Sequence, residues 1–542
     1  MTSQIRPYLT LSTLLSLALS VSPAAAQSAS SVDEVVVTAS SNNRASALKM
    51  QVPLIDVPQS LSIIDGTEMK QRGFRELGDI VRYTPGLSTS QGEGHRDSIV
   101  FRGVRSTADF FLDGVRDDVQ YYRPLYNLEQ VEILRGPNAL LFGRGGTGGA
   151  VNRVSKKASL GTQMRDVDFK LDSFGGTHFA ADINLPTGKN AALRLNAYAE
   201  TLENDRDFYD GERSGFNPSL KLSLSEQTTL DLSYERMDHE RFIDRGIVTD
   251  RETGAPVARH RDTVFGSATD NISTLEGDVL RASLSRRYSQ NTKGSMSLHY
   301  GDYEKTYQNL YADGYDADAN TVTLKGYKDP TERTNMIVSG YILHKRDAGG
   351  LSHSLLLGGE YVDTQSDNHR YNPTFSSNGA TSESFIIAPQ LDLTQNALGA
   401  ATSVIFSDDL KTRTQTQISV ASVFLQDQIG VTDRLQVLLG ARFDSFDITV
   451  RDTLDPSAIT AQSRKDEEVS PRVGLIYKPQ PHVSVYASHS ESFLPRSGEQ
   501  FKKLQESAAK LDPDVFENAE IGVKWDISRE LSFAASFFDS EQ

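Results

Sequence analysis

The sequence predicts a transmembrane antiparallel β-barrel behind a small N-terminal α+β domain, and three observations carry the barrel. After residue 160, apolar and polar residues alternate in short runs, so each strand would have one apolar and one wet face. The N-terminus reads as an export signal. Long polar stretches at about 239–272 and 363–414 interrupt the alternation, as long extracellular loops interrupt a barrel. Alternation by itself equally admits a soluble β-sandwich or β-solenoid. Export, the insertions and the N-terminal domain described below together favour the barrel.

The elements follow in chain order. Arg6 gives a weakly charged start, Tyr8 to Val21 an apolar run diluted by Ser and Thr, and Ala24, Ala25 and Ala26 a small-residue cleavage site before Gln27. Residues 1–26 are therefore expected to be a signal peptide. No later stretch reaches the roughly 18 uninterrupted apolar residues of a membrane-spanning helix. Residues 27–48 form a polar, flexible segment with one β-branched island, Asp33, Glu34, Val35, Val36, Val37, Thr38 and Ala39. In a flexible tail such an island suits strand addition to a partner's sheet edge.

Residues 49–158 mix helix and strand signals and make a domain of ordinary size. Val57 to Ile64 reads as a short strand. Asp65 to Tyr83 has helical spacing at Met69, Phe74, Leu77, Ile80 and Val81, interrupted at Gly73 and stopped before Pro85 and Gly86. Ile99 to Val104, Phe110 to Asp113 and Val131 to Leu134 read as strands. Five glycines between Gly143 and Gly149 demand positive φ or close backbone approach. They formally match G-x-G-x-x-G, but Asn138 to Phe142 before them reads as a turn or short helix, and Ala150 to Val154 after them as a strand. That is the reverse of a dinucleotide site.

Residues 159–542 carry the alternating strands, for example Leu193, Leu195, Ala197 and Ala199 against Arg194, Asn196, Tyr198 and Glu200. Two-faced strands explain how a chain of negative mean hydropathy can sit in lipid.

Composition bounds the function. There is no cysteine, so disulfides and thiolate metal sites are excluded. The net charge is −16 and uneven: residues 41–160 hold 16 Lys/Arg against 13 Asp/Glu, and residues 161–542 hold 39 against 57. An acidic exported chain argues against nucleic acid as partner. The ten histidines show no metal-ligand spacing, and no paired carboxylates, nucleophilic triad or Gly-x-Ser-x-Gly occur, so no enzyme is expected.

Residues 109–146, DFFLDGVRDDVQYYRPLYNLEQVEILRGPNALLFGRGG, resemble the plug domain of TonB-dependent outer-membrane receptors, and most closely the catecholate-type siderophore receptors. The resemblance implies a 22-stranded barrel with residues 49–158 plugging its lumen. The 382 residues after position 160, at roughly 25 per strand and connection, would make about 15 strands. The chain ends on Ser540, Glu541 and Gln542 without the family's terminal aromatic strand, so the barrel is expected to be C-terminally incomplete. Residues 33–39 resemble the TonB box, the segment that periplasmic TonB grasps. The box follows the expected cleavage site too closely for the extra N-terminal domain of signalling members. The expected function is active uptake of ferric siderophore by a monomeric barrel in outer-membrane lipid, powered by protonmotive force. Iron would arrive already chelated, and no cofactor is expected. Haem members show FRAP and NPNL motifs, which are absent here. Hydroxamate siderophore, haem or cobalamin are the alternative cargoes, with a passive porin or adhesin behind them.

Two polar plug loops, Ser88 to Ser98 and Arg116 to Pro124, match the family's outward-facing apex. A ferric tris-catecholate is a trianion with aromatic faces, which guanidinium groups and tyrosine rings suit. Arg96, Arg116, Tyr121, Tyr122 and Arg123 are the expected ligand-binding residues; packing of Tyr121 and Tyr122 against the barrel wall is the alternative. Arg102 and Arg135 sit on plug strands, where a lone buried guanidinium is costly. The resemblance implies that they pair with barrel carboxylates Glu491 and Glu520 in a lock between plug and wall.

Overall fold

The computed structural model describes residues 45–50, 52–145, 148–496, 502, 504, 511–528 and 531–542. The expected signal peptide and the segment Asp33 to Ala39 lie outside them. The N-terminal domain runs β1 (Leu61–Asp65), α1 (Gly66–Arg72), α2 (Leu77–Arg82), β2 (Leu87–Thr89), β3 (Ile99–Phe101), β4 (Val104–Ser106), β5 (Phe110–Leu112) and β6 (Val115–Arg116). It closes with β7 (Leu128–Arg135), α3 (Ala139–Phe142) and β8 (Gly149–Ser155). One sheet has the order β1-β7-β8-β5-β6, with β5 and β8 parallel, and β2-β3-β4 form a second.

Local chemistry sets these boundaries. Asp65 caps α1 by accepting from the Glu68 N–H at 2.8 Å, and Gly73, at φ 68°, ends it. The helical run predicted over 65–83 is thereby two short helices. The helices lay Met69, Leu77, Ile80 and Val81 onto Phe110, Leu128, Val131 and Ile133 of the sheet, each buried side chain contributing about 1.5–3 kcal/mol. The predicted strand over Ile99 to Val104 is instead the hairpin β3–β4, because Arg102 (φ 48°) and Gly103 (φ 94°) turn the chain. The glycine cluster is a close crossing. A Cβ on Gly149 would stand 2.4 Å from the Leu134 carbonyl oxygen, and one on Gly145 2.6 Å from Asp109 Oδ1.

The rest of the chain is one antiparallel sheet. Its strands are β9 (Met164–Leu171), β10 (Thr177–Pro186), β11 (Ala191–Glu203), β12 (Asp210–Ser225) and β13 (Thr228–Phe242). Then come β14 (Ile272–Arg287), β15 (Thr292–Asp316), β16 (Thr321–Ala348), β17 (Leu351–Phe375) and β18 (Ser382–Ile386). Last are β19 (Val404–Gly430), β20 (Leu435–Asp452), β21 (Thr460–Gln480), β22 (Val483–Leu494), β23 (Asp514–Asp526) and β24 (Ser532–Glu541). Apart from β18, which pairs with β16, they form a single path of consecutive neighbours from β9 to β24. Among the described residues these two end strands do not pair with each other. Connections alternate: short at one end of the sheet (187–190, 288–291, 349–350) and longer at the other (204–209, 243–271, 376–403). The polar stretch 363–414, expected to be loop, is largely strand, since β17 reaches Phe375 and β19 begins at Val404. At 25 to 28 residues, β15 to β17 and β19 far exceed the 9–11 needed to cross lipid, so these hairpins project beyond it.

The outward face is zoned. Leu280, Tyr300, Met336, Tyr361, Val423, Phe443 and Val473 are exposed there, as a lipid-facing band requires. Above the band, Asp238, Glu276, Glu304, Glu332 and Asp367 stand directly opposite one another across β13 to β17. Apposed carboxylates repel and need water, so this row marks where the wall leaves hydrocarbon. The inward face meets the N-terminal domain near both ends and in the middle of the strand path. Lys70 pairs with Asp166 on β9 at 2.7 Å, Asp118 with Arg333 on β16 at 2.6 Å, and the Ser60 N–H with Glu520 on β23 at 2.8 Å.

Candidate functional site

At the long-connection end, the plug-like domain and the wall enclose a cavity of about 450 Å³. The loop 90–98 supplies Arg96 and Asp97, the segment after β6 supplies Tyr122, and the β11–β12 and β13–β14 connections supply Arg206, Tyr209 and Asp244 beside Arg241 of β13. The Arg241 guanidinium lies 4.0 Å over the Tyr122 ring and 5.7 Å from that of Tyr209. Arg206 is steadied by Asp244 at 2.7 Å and by the carbonyl oxygens of Arg261 and Thr263. Arg96 bonds Glu93 and His95, and Lys305 reaches His95 Nδ1 at 3.0 Å. Four arginines (Arg82, Arg96, Arg206 and Arg241) against three carboxylates (Glu76, Asp97 and Asp244), with two phenol rings, make a mouth suited to an anion with flat faces.

Of the five expected ligand residues, the structure brings Arg96 and Tyr122 to this cavity and turns the others away. Arg123 is fully buried and spends its donors on Asp117, Asp97 and the carbonyl oxygens of Asp117, Val119 and Tyr121. Arg116 donates to the carbonyl oxygens of Ala108, Phe142 and Arg144, so it braces the glycine crossing. Tyr121 donates to Asp117 at 2.9 Å and packs on Met237, Leu275 and Tyr303 of the wall. The loop 117–123 wraps around its own guanidinium because its carbonyls need donors away from water. Arg206, Tyr209 and Arg241 were missed. The Arg-Tyr interleaving of 206–209 was a signal, but nothing local shows that it folds against a loop about 110 residues earlier.

Burial pushes the Asp97 carboxyl up to about 6, against the opposing pull of Arg123. Below that pH the group is neutral; above it, it adds a negative charge to the cavity wall. Affinity for an anionic ligand is expected to fall about threefold as pH rises from 5 to 7, and the Asp97→Asn variant, which keeps the acceptor for Arg123, to flatten the profile. Isothermal titration across that range checks it.

Of the four residues of the expected lock, the structure pairs Arg102 with Glu520, keeps Arg135 beside them and places Glu491 apart. Arg102 Nη2 lies 2.6 Å from Glu520 Oε2, both side chains buried, with the guanidinium 3.8 Å from the Phe538 ring. Glu520 Oε1 accepts from the Ser60 N–H and the Tyr486 hydroxyl. Arg135 donates to the Pro85 carbonyl and to the hydroxyls of Ser60 and Ser62, and burial, then Arg102, lowers its pKa to about 10. Glu491 belongs elsewhere. It stands opposite Glu517, three residues from Glu520 on β23, hence on the other face of the sheet. There His489, Glu491 and Glu517 gather ligand atoms within 4.8 Å of one another, a cross-strand grouping that spacing along the chain could not reveal.

Two family models match this chain: the TonB-dependent receptor plug domain over residues 53–150, and the TonB-dependent receptor-like β-barrel over residues 144–542. The probable TonB-dependent siderophore receptor PiuA of Acinetobacter baumannii is 26% identical over 522 residues, covering 91% of this chain and 69% of its own. The ferrioxamine B receptor of Salmonella typhimurium is 26% identical over 524 residues, covering 93% and 70%. The crystal structure of PiuA superposes with a TM-score of 0.80 at 22% identity, over 92% of this chain and 74% of that one. The ferric-catecholate import receptor Fiu of Escherichia coli K12, in its closed form, gives 0.78 at 19% identity, over 90% and 74%.

Proposed function

This chain belongs to the TonB-dependent receptor family of the Gram-negative outer membrane, and from that premise we propose that it captures a ferric siderophore, catecholate in type, and imports it with energy delivered through TonB. Residues 49–158 act as the plug and residues 159–542 as the wall. The observation that carries the ligand class is the arginine–tyrosine cavity at the long-connection end, where Arg241 stacks on Tyr122 beside Arg96, Arg206 and Tyr209. A tris-catecholate trianion meets there guanidinium groups that stay charged and ring faces that stack. Two relatives carry the neighbouring chemistries in their names, ferric catecholate and ferrioxamine B, which makes a hydroxamate chelate the second reading.

In this proposal the Arg102–Glu520 pair ties the plug to the wall at rest, with Ser60 and Tyr486 satisfying the rest of the carboxylate. Arg135 shapes the layer behind it. TonB engages Asp33 to Ala39 by strand addition, an address in the N-terminal segment rather than in the barrel. Loading and release are binding and mechanical steps, and no bond in the ligand need break.

Titrating the purified protein with a ferric tris-catecholate, its iron-free form and a ferric tris-hydroxamate tests the ligand class. The ferric catecholate is expected to bind most tightly, and Arg241→Ala to weaken it about 10–30-fold through loss of a charge-assisted contact and the stacked pair. Equal binding of the iron-free chelator would overturn the reading, and preference for the hydroxamate would select the alternative.

A further inference from the structure

A second cavity, of about 270 Å³, lies near the short-connection end of the same wall strands. Seven wall serines line it, among them Ser233, Ser283, Ser297 and Ser339, with Arg281 and His299 from the wall and Lys156 and Lys157 from the plug. His299 is buried, and its Nδ1 has no hydrogen-bond partner. A buried imidazole nitrogen left unpaired beside a row of hydroxyls suits a polar visitor better than a packed core. One side of the cleft is made by Ser46, Ala47 and Lys49.

Those residues are held by a single buried carboxylate. Glu132 of β7, fully buried, accepts from the Ser46 N–H at 2.6 Å, the Ser46 hydroxyl at 2.9 Å and the Ala47 N–H at 2.8 Å. Gln130 and Asn152 supply two further donors. Apolar packing backs the latch: Ala45, Leu48 and Met50 sit among Phe111, Leu134 and Phe142 of the plug and Leu343, Leu356 and Phe424 of the wall. Lys49 holds φ 58° and sets its ammonium 5.1 Å from the Phe424 ring. This strap is the first described stretch after the segment 33–39.

We propose that the serine-lined cleft is the exit route and transit subsite for the ferric chelate, and that residues 45–50, latched by Glu132, are the strap that closes it. The inference rests on the import reading above. At 270 Å³ the cleft falls just short of the roughly 300–1,000 Å³ of sites for drug-sized ligands, so passage requires its movable side to withdraw. Force applied at 33–39 reaches that side first. Hydroxyls and three cations, set against Asp113 and Asp231, then offer a hydrogen-bonding anion many weak contacts and no tight one.

Two variants of the full chain test this. Ser297→Trp fills the cleft and is expected to leave ferric chelate binding unchanged while lowering cellular accumulation at least tenfold; unchanged accumulation would overturn the route. Ala47→Cys places a thiol on a buried strap residue of a chain without cysteines. Adding Glu132→Ala is expected to speed its maleimide labelling at least about tenfold through loss of three strap hydrogen bonds to a charged acceptor, and Glu132→Gln to restore most protection. Equal labelling rates would overturn the latch. Removal of residues 33–39 separates the two levels: if it leaves accumulation intact the import reading fails, whereas if it abolishes accumulation and Ser297→Trp does not, only the route fails.

Discussion

Removing residues 33–39 is expected to bring energised accumulation of the ferric siderophore to background while leaving its binding within about twofold, since no cavity residue is touched. The argument is mechanical. A β-branched island in a polar segment has little to pack against alone and gains most by adding to another chain's sheet edge, where each backbone hydrogen bond shares the load. From Ala39 to Ala45 is six residues, at most about 20 Å of extended chain, so a pull on the island is transmitted directly to the strap at 45–50. There the load falls on the Glu132 hydrogen bonds, which can break singly, before it reaches the five-stranded sheet β1-β7-β8-β5-β6. A passive pore has no such dependence. Counting accumulation of iron-55 chelate in cells carrying the deletion, with and without a protonmotive-force uncoupler, distinguishes the two; flux that survives the deletion would place the protein with passive conductors.

Much of the fold was legible because period-two alternation persists wherever one face of a strand meets lipid and the other does not. Leu230, Leu232 and Tyr234 declare one face of β13 outward, and the structure places them there. Strand count followed from length and spacing, about 15 expected and 15 found along the path among the described residues, with β18 beside it. The polar stretch 239–272 is a connection as expected, and what failed was the reading of 363–414 as loop. Strands that rise beyond the membrane meet water on their outer face, so β17 and β19 lose the apolar half of the pattern while keeping the ladder. The β3–β4 hairpin was hidden for a different reason. Arginine at φ 48° is strained, and sequence gives no hint that Arg102 accepts this conformation where its guanidinium meets Glu520 and the Phe538 ring, more than 400 residues away.

The site was legible in residue type and not in direction. Arg116, Tyr121, Tyr122 and Arg123 carry the chemistry expected of an anion site, yet a loop has no period from which facing could be read. Three of the four turn inward because Asp97, Asp109 and Asp117 stand nearby and because loop carbonyls claim the guanidinium donors. Only Tyr122 keeps its ring toward the cavity, where Arg241 covers it. Glu491 and Glu520 show the same limit in a strand. Each is a glutamate in a family-like motif, and parity on β22 and β23 sends one outward to His489 and the other inward to Arg102.

Asp117 gathers three buried donors on one oxygen, and Asp117→Ala is expected to destabilise the plug by about 3–5 kcal/mol. Its Oδ2 accepts from Tyr121 at 2.9 Å, Arg123 at 3.2 Å and Arg153, all buried. Burial pushes the carboxyl up, but Arg123, Arg153 and the Tyr121 hydroxyl overcome it and hold the group below its usual range. Alanine removes the acceptor these three groups share, leaving Arg153 without its ion-pair partner and Arg123 with Asp97 as its remaining carboxylate, the costly half of a broken ion pair. Against a domain stability of about 5–15 kcal/mol that is a large share. In amide hydrogen exchange on the intact protein, β7 and β8 should lose about 10²–10³-fold of their protection while the wall strands keep theirs. Asp117→Asn, which retains an acceptor without the charge, should fall between. The sign of the pH dependence follows from the depressed pKa: the stabilisation is present above the ordinary carboxyl range and is lost only as pH falls through the folded value, so wild-type protection should hold at pH 5 and erode in stronger acid. Unchanged exchange in the alanine variant would mean that Arg123 and Arg153 find other partners, and that the aspartate is incidental to a loop already closed by the Arg123 bonds to its own carbonyls.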